Sequence, residues 1–236
     1  MILYQIVRFL ILAVAKLFWR VSFEGTENVP KTGAFVLAPV HRSWIDFGIV
    51  SGVTRRRMGY MGKESLWSSA LLGKLISVLG AYPVNRGAPD REALRRTLAL
   101  LEKGEPLVLF PEGTRRTGPV IEHLAEGAAY VASRASVPVV PVGIGGSERA
   151  LPKGKKLPRP VKIHVIVGEP LRPAPIPEGS RHPSRRAVKE LTLDLQRVLQ
   201  ELYDRAQRRA GVEAPVHPPE DTPPDAGPPA PPEVSL

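Results

Sequence analysis

The sequence predicts an α/β fold, a sheet covered by helices, preceded by an amphipathic helix. Three observations carry this. Short apolar runs with few polar positions alternate with segments whose apolar residues recur every three or four places. Strands hydrophobic on both faces belong to sheets that helices cover. The first twenty residues are almost wholly apolar. The chain has 236 residues, 43% hydrophobic and 24% charged, enough for one medium domain with appendages.

Residues 2–19 hold only Gln5, Arg8 and Lys16 as polar positions. That is long enough to attract a transmembrane reading, but a charge at mid-depth is costly. Arg8 and Lys16, near two helical turns apart, share a face. With Arg20 following and Phe18 and Trp19 at head-group depth, the segment reads as a basic amphipathic helix lying in an interface. Its opposite face would bury Ile6, Phe9, Leu10 and Leu17 among acyl chains. A true span, a packed core helix and a cleaved signal are the rivals. Ala13-Val14-Ala15 resembles a cleavage site, yet the run between Arg8 and Lys16 is at the lower limit for a signal.

Ala34–Val40 has the pattern of a buried strand, and Asp46–Val53 that of a helix. Met58–Gly62 is a short strand. Glu64–Leu79 is a helix by the spacing of Leu66, Leu71, Leu72, Leu75 and Leu79. Ala81–Asn85 is a strand. Asp90–Lys103 is a helix with Asp90 as its cap and Gly104 as its stop. Leu107–Phe110 is a strand, Leu124–Ser133 a helix weakened by Gly127, and Val137–Ile144 a strand. The two prolines of that last strand predict an edge or bulged position. Val161–Val167 is a further strand. Ser184 caps an amphipathic helix to Arg209, with Val188, Leu191, Leu195, Val198, Leu199 and Leu202 on one face.

Residues 211–236 hold nine of the 26 prolines, five acids and no Lys or Arg. They cannot bury enough surface to order themselves, which predicts a disordered acidic tail. The expected organisation is a membrane-associating helix at 1–22, a domain at 23–210 and the tail at 211–236. The whole chain carries +10, so residues 1–210 carry +15. Such a body is suited to phosphate head groups or nucleic acid. Aromatics are only 6%, too few for the stacking platforms of nucleic-acid binding, so no nucleic-acid partner is expected. The chain has no cysteine, which excludes disulfides and thiolate chemistry.

Several catalytic patterns are absent from the sequence. There is no Gly-x-Ser-x-Gly elbow, no phosphate-binding P-loop at Gly62-Lys63, no complete dinucleotide fingerprint at 143–148, and no metal-ligand spacing. What is present is His41 and Asp46, between a buried strand and a helix. Histidine is the commonest general base, and a carboxylate beside it fixes its tautomer. Five residues apart, the two would stand about 140° apart on a regular helix. They meet only if His41 sits in the turn and Asp46 folds back. Phe110-Pro111-Glu112-Gly113-Thr114-Arg115-Arg116 follows another buried strand, where open α/β sheets place their sites. Asn85-Arg86-Gly87 offers a further arginine at a strand's exit. His123, His164 and His182 read as a loop or helix-start residue, a strand side chain and a surface group.

These segments, taken in order, resemble the glycerophospholipid acyltransferase family. The His-x-x-x-x-Asp box matches His41 and Asp46. A Gly-led strand ending in Arg matches Gly80 to Arg86. Phe-Pro-Glu-Gly-Thr-Arg matches Phe110 to Arg115, and Val-Pro-x-x-Pro-Val matches Val137 to Val142. Lys63, after a strand, is also similar. One departure is Glu126 before Gly127, where members often carry Lys; it bears on the acceptor head group. The resemblance spans about residues 23–170. It implies a mixed sheet covered by helices and acyl transfer from a thioester, acyl-CoA or acyl carrier protein, to the hydroxyl of a lysophospholipid, foremost 1-acyl-glycerol-3-phosphate. It further implies His41 as base, Asp46 as its partner, and Arg86 and Arg115 on the acceptor's phosphate. Glu112, Gly113 and Thr114 would shape the acceptor site, and Val139 and Pro141 are candidates for an acyl groove. Backbone N–H groups at the helix opening could steady the oxyanion. Neither metal nor cofactor is expected beyond the thioester co-substrate. The expected location is the cytoplasmic face of a membrane, where such donors are found. The alternatives are a family member with another acceptor, a lyso-ornithine lipid or a glycolipid, and a non-catalytic basic membrane-binding protein.

Overall fold

The computed structural model describes residues 2–84, 91–180 and 182–213. Arg86, the expected Asp90 cap and the tail from residue 214 lie outside the described residues. The strands are β1 (Ser22–Glu24), β2 (Val36–Pro39), β3 (Gly59–Lys63), β4 (Ala81–Val84), β5 (Leu107–Val108), β6 (Val139–Gly145) and β7 (His164–Val167). The helices are α1 (Ile2–Trp19), α2 (Asp46–Ile49), α3 (Ala70–Val78), α4 (Arg91–Glu102), α5 (Gly127–Ala135), α6 (Ser147–Ala150) and α7 (Arg185–Arg209). The strands form one seven-stranded sheet in the order β1-β7-β6-β2-β5-β3-β4. Every neighbouring pair is parallel except β6 and β7, so the sheet is mixed.

The central strands β2, β5 and β6 run through the core, with Val36, Leu37, Leu107, Val139 and Val140 buried. The apolar face of α7 covers β6 and β7, and α5 packs beside it. The approach of α7 depends on two glycines. A Cβ at Gly143 would lie 2.5 Å from the Leu202 backbone, and one at Gly145 2.1 Å from the Ala206 backbone. Any side chain at either place would lift the helix off the sheet.

Some elements differ from expectation for identifiable reasons. The Glu64–Leu79 segment is not one helix. Residues 64–67 form a 3-10 turn, and α3 begins only at Ala70. Trp67 folds back, donates its indole N–H to Ser77 Oγ at 2.9 Å and fills the space left by Gly62 and Gly73. Gly127 does not sit inside a helix but opens α5. β6 is internal, between β7 and β2, not at the edge. Val139 exchanges backbone hydrogen bonds with Leu171 at 2.8 Å on the side away from β2. Two residues on, Pro141 turns its nitrogen the same way. There the ladder is interrupted, resuming at Val142–Val167, and Gly168 N–H takes the Pro141 carbonyl at 2.9 Å.

The basic face of α1 also differs. Arg8 points to the body, donating to the Ser51 carbonyl at 2.8 Å, and Gln5 donates to the Arg55 carbonyl at 3.1 Å. Tyr4 and Ala15 are buried on the same side. The outward stripe is apolar: Ile2, Ile6, Phe9, Leu10 and Leu17 are all exposed, Leu17 at 83%.

Candidate active site

The site forms at the C-terminal ends of two adjacent parallel strands, β2 and β5, as open α/β sheets favour. β2 delivers His41 into a turn, and Asp46 opens α2 and folds back over it. His41 Nδ1 and Asp46 Oδ2 lie 3.1 Å apart. The same Oδ2 accepts the N–H of Arg42 at 2.8 Å and of Ser43 at 2.7 Å. One fully buried carboxylate thus gathers the whole turn, and charge-assisted bonds of this kind are strong. With Nδ1 turned to a carboxylate, the lone pair of the neutral ring lies on Nε2. The amides of Arg42 and Ser43 are committed to Asp46, so these two are not the source of an oxyanion hole. Phe110 and Phe47 flank the imidazole, with ring centroids at 4.2 and 5.1 Å.

β5 delivers the second loop. Arg116 N–H donates to the His41 carbonyl at 2.9 Å, joining the loops. Glu112 is buried, and its Oε2 accepts the His41 N–H at 2.7 Å. Its Oε1 pairs with Arg42. Arg42 is wholly buried; it donates to the Val120 carbonyl at 3.2 Å and lies 5.0 Å from the centre of the Tyr203 ring on α7. Burial pushes the Glu112 carboxyl above its usual range, a shift that Arg42 and the His41 N–H only partly offset. Burial also works against the Arg42 charge, but Glu112 and Tyr203 outweigh it and hold the guanidinium above its ordinary value. Burial pushes the Tyr203 hydroxyl up to about 12.

Gly113 has φ +68°, with nothing near a hypothetical Cβ. Glycine is favoured there by backbone conformation. Thr114 is exposed. The Arg115 guanidinium lies over the Trp44 ring at 4.8 Å. Trp44 and Phe47, in turn, line an apolar cavity of about 280 Å³ with Ile11 of α1, Met61 of β3 and Ile76 of α3. Phe47 is therefore a wall shared by the cavity and His41, and Trp44 a wall shared by the cavity and Arg115. Val139 and Pro141 are buried within the sheet and do not line this cavity; the apolar space stands between α1, α2 and α3 instead. Among the described residues, no group of three or more His, Asp or Glu is placed to hold a metal.

A family model for acyltransferases matches residues 20–145, which takes in both loops. The chain belongs to the acyltransferase family. The 1-acyl-sn-glycerol-3-phosphate acyltransferase of Bacillus subtilis (strain 168) is 30% identical over 183 residues, covering 77% of this chain and 87% of that protein. The chloroplastic 1-acyl-sn-glycerol-3-phosphate acyltransferase LPAT1 of Arabidopsis thaliana is 27% identical over 158 residues; the match covers 65% of this chain but only 44% of the plant protein. A crystal structure of the 1-acyl-sn-glycerophosphate acyltransferase PlsC from Thermotoga maritima superposes with a TM-score of 0.63 at 23% identity, over 85% of this chain and 95% of that one. It shares the fold. This acyltransferase is thus of the type that its sequence resembled.

Sequence reasoning missed Arg42, Tyr203 and the cavity. Arg42 stands beside His41 at a strand's end, which is a weak signal by itself. Tyr203 falls on the apolar face of α7 and is indistinguishable there from a core residue.

Proposed function

We propose that this acyltransferase moves a fatty acyl group from an acyl thioester, acyl-CoA or acyl carrier protein, to the free hydroxyl of 1-acyl-glycerol-3-phosphate, giving phosphatidic acid. The observation that carries the reading is His41 against Phe47, a wall of an apolar cavity that suits an acyl chain, while Arg115, which suits a phosphate, stacks on Trp44, another wall of the same cavity. The names of the Bacillus and Arabidopsis relatives support the same acceptor.

His41 Nε2 takes the proton of the acceptor hydroxyl as that oxygen attacks the thioester carbonyl. Asp46 stabilises the imidazolium that forms. The tetrahedral intermediate expels the thiolate, which recovers the proton from His41 and leaves as thiol. Transfer is direct. The chain has no cysteine, and the Ser43 hydroxyl donates to the Leu151 carbonyl at 2.8 Å, away from nucleophilic use. Arg115 binds the acceptor's phosphate as a guanidinium fork, held flat by Trp44. Arg86 joins it in this proposal on the strength of its motif. Glu112 acts from beneath, fixing the His41 backbone, while Gly113 and Thr114 stand at the exposed rim.

The outward stripe of α1 supports a position on a membrane, where acceptor and product reside, and the nature of the donors favours its cytosolic leaflet. The helix is long and apolar enough to cross by length and composition. Its docked face, with Tyr4, Gln5 and Arg8 engaged by the body, favours lying in the interface.

Incubation of the pure protein with lysophosphatidic acid and acyl donors, with products identified by mass, tests the reading. Phosphatidic acid is expected. Product from a lyso-ornithine lipid or a glycolipid but not from lysophosphatidic acid replaces the acceptor. No product from any acceptor overturns the reading.

A further inference from the structure

Residues 149–168 carry Arg149, Lys153, Lys155, Lys156, Arg159 and Lys162 and no acid. The loop that follows α6 exposes Lys153, Lys155, Lys156 and Arg159. At its tip Leu157 is 83% exposed, equal to the most exposed residue of the α1 stripe. Four cations of α7 are answered within the fold, in Arg186–Glu190, Arg197–Glu201, Arg205–Glu24 and Arg209–Glu24. The loop's four cations enter no ion pair among the described residues.

The loop has a built base. Arg159 N–H donates to the Ala150 carbonyl at 2.7 Å, and Lys155 N–H to the Pro152 carbonyl at 3.0 Å. Two further bonds fix where it stands. The Trp19 indole N–H at the end of α1 donates to the Arg159 carbonyl at 3.0 Å. The Ser43 hydroxyl, in the turn that carries His41, donates to the Leu151 carbonyl at 2.8 Å. One short segment is therefore tied at one end to the apolar helix and at the other to the catalytic turn.

We propose that residues 153–159 are a second membrane contact, in which the lysines meet anionic head groups and Leu157 enters the acyl boundary beside α1. The proposal rests on the reading that α1 lies in a membrane. Charge complementarity favours an anionic surface. The exposed leucine at the centre of the cations, and its neighbour α1, favour a bilayer over an acidic carrier protein. The contact would hold the catalytic turn at the lipid surface.

The test measures binding of the full chain to vesicles of phosphatidylcholine alone and with a third phosphatidylglycerol. Each cation near an anionic surface is worth roughly fivefold in partitioning. Lys153→Gln with Lys155→Gln and Lys156→Gln should therefore weaken binding to the anionic vesicles on the order of a hundredfold at low salt, while binding to neutral vesicles hardly changes. The gap should narrow as salt rises. Removing three cations from α7, with Arg186→Gln, Lys189→Gln and Arg197→Gln, should have far less effect. Because the chain has no cysteine, Leu157→Cys takes a single environment-sensitive dye. Its emission should shift to the blue on anionic vesicles, and a dye at Lys189→Cys should not shift. If the wild type binds neither vesicle, the membrane reading of α1 and this proposal both fall. If it binds and the loop variants bind as well, or the α7 variant loses as much, or the dye at 157 stays in water, this proposal alone falls. Loop variants that bind vesicles normally but lose turnover with an acyl carrier protein donor would assign the surface to that carrier and overturn it as well.

Discussion

Replacing Glu112 by Ala separates a supporting role from a substrate-binding one. The change removes the partner of a wholly buried guanidinium and the acceptor of the His41 N–H at 2.7 Å. Breaking a buried ion pair by deleting one member costs about 3–5 kcal/mol. The orphaned N–H adds about 1–3 kcal/mol. The total, about 4–8 kcal/mol, is a large share of the roughly 5–15 kcal/mol that holds a domain folded. It should lower the melting temperature by about 10–30 °C at this size. Urea unfolding followed by circular dichroism measures the loss. The double variant Arg42→Met with Glu112→Gln buries no charge and keeps an amide oxygen for the His41 N–H. It should recover most of the stability, since swapping both members of a buried pair is often nearly neutral. A Glu112→Ala protein within about 0.5 kcal/mol of the wild type, the range of surface substitutions, would refute the reasoning. It would return Glu112 to the acceptor site, with a raised acceptor KM as its mark.

His41→Ala should reduce turnover at least ~10²-fold, the usual worth of a general base, while circular dichroism remains that of the wild type. Arg115→Ala should raise the acceptor KM with a smaller effect on kcat, the pattern of lost uniform binding; unchanged acceptor kinetics would remove the phosphate from Arg115. His164, on β7, is held below its ordinary value chiefly by burial, with Glu24 opposing. The unfolded chain then takes up a proton that the folded one resists. Its contribution to stability is complete above the ordinary histidine value of about 6.5 and declines as pH falls from there. Melting temperatures from pH 7.5 to 5 should fall less steeply for His164→Asn, and parallel profiles would contradict the assignment.

Six of the seven strands were legible because they are short, apolar on both faces and separated by clear turn residues; β1, three residues with Ser22 and Glu24 polar, carries no such signal. The proline-bearing strand is also instructive. Val137-Pro138-Val139-Val140-Pro141 suggests an edge or a bulge, and the second holds: the register shifts by one residue between Val139–Leu171 and Val142–Val167, opposite Pro141, which lets the strand lie inside. The meeting of His41 with Asp46 was readable as a condition, since a turn followed by a helix start permits it. The support beneath was not. Arg42 reaches Glu112 seventy positions away and Tyr203 across most of the chain, and no periodicity marks such a link. Arg8 misled for a similar reason. A charge on an apolar helix suggests water or head groups, whereas here a backbone carbonyl at Ser51 receives it.

The close seating of α7 on Gly143 and Gly145 bears on where this protein can be divided. The stretch matched by the family model stops at residue 145, yet the ring that faces Arg42 comes from Tyr203, well beyond it. A fragment trimmed to the matched stretch would uncover β6 and open Arg42 to solvent. The working unit therefore runs through α7, whatever the motifs enclose. Hybrids with relatives face the same constraint: the two glycines, the Arg42–Glu112 pair and the C-terminal helix form one inheritance, to be exchanged together or left alone.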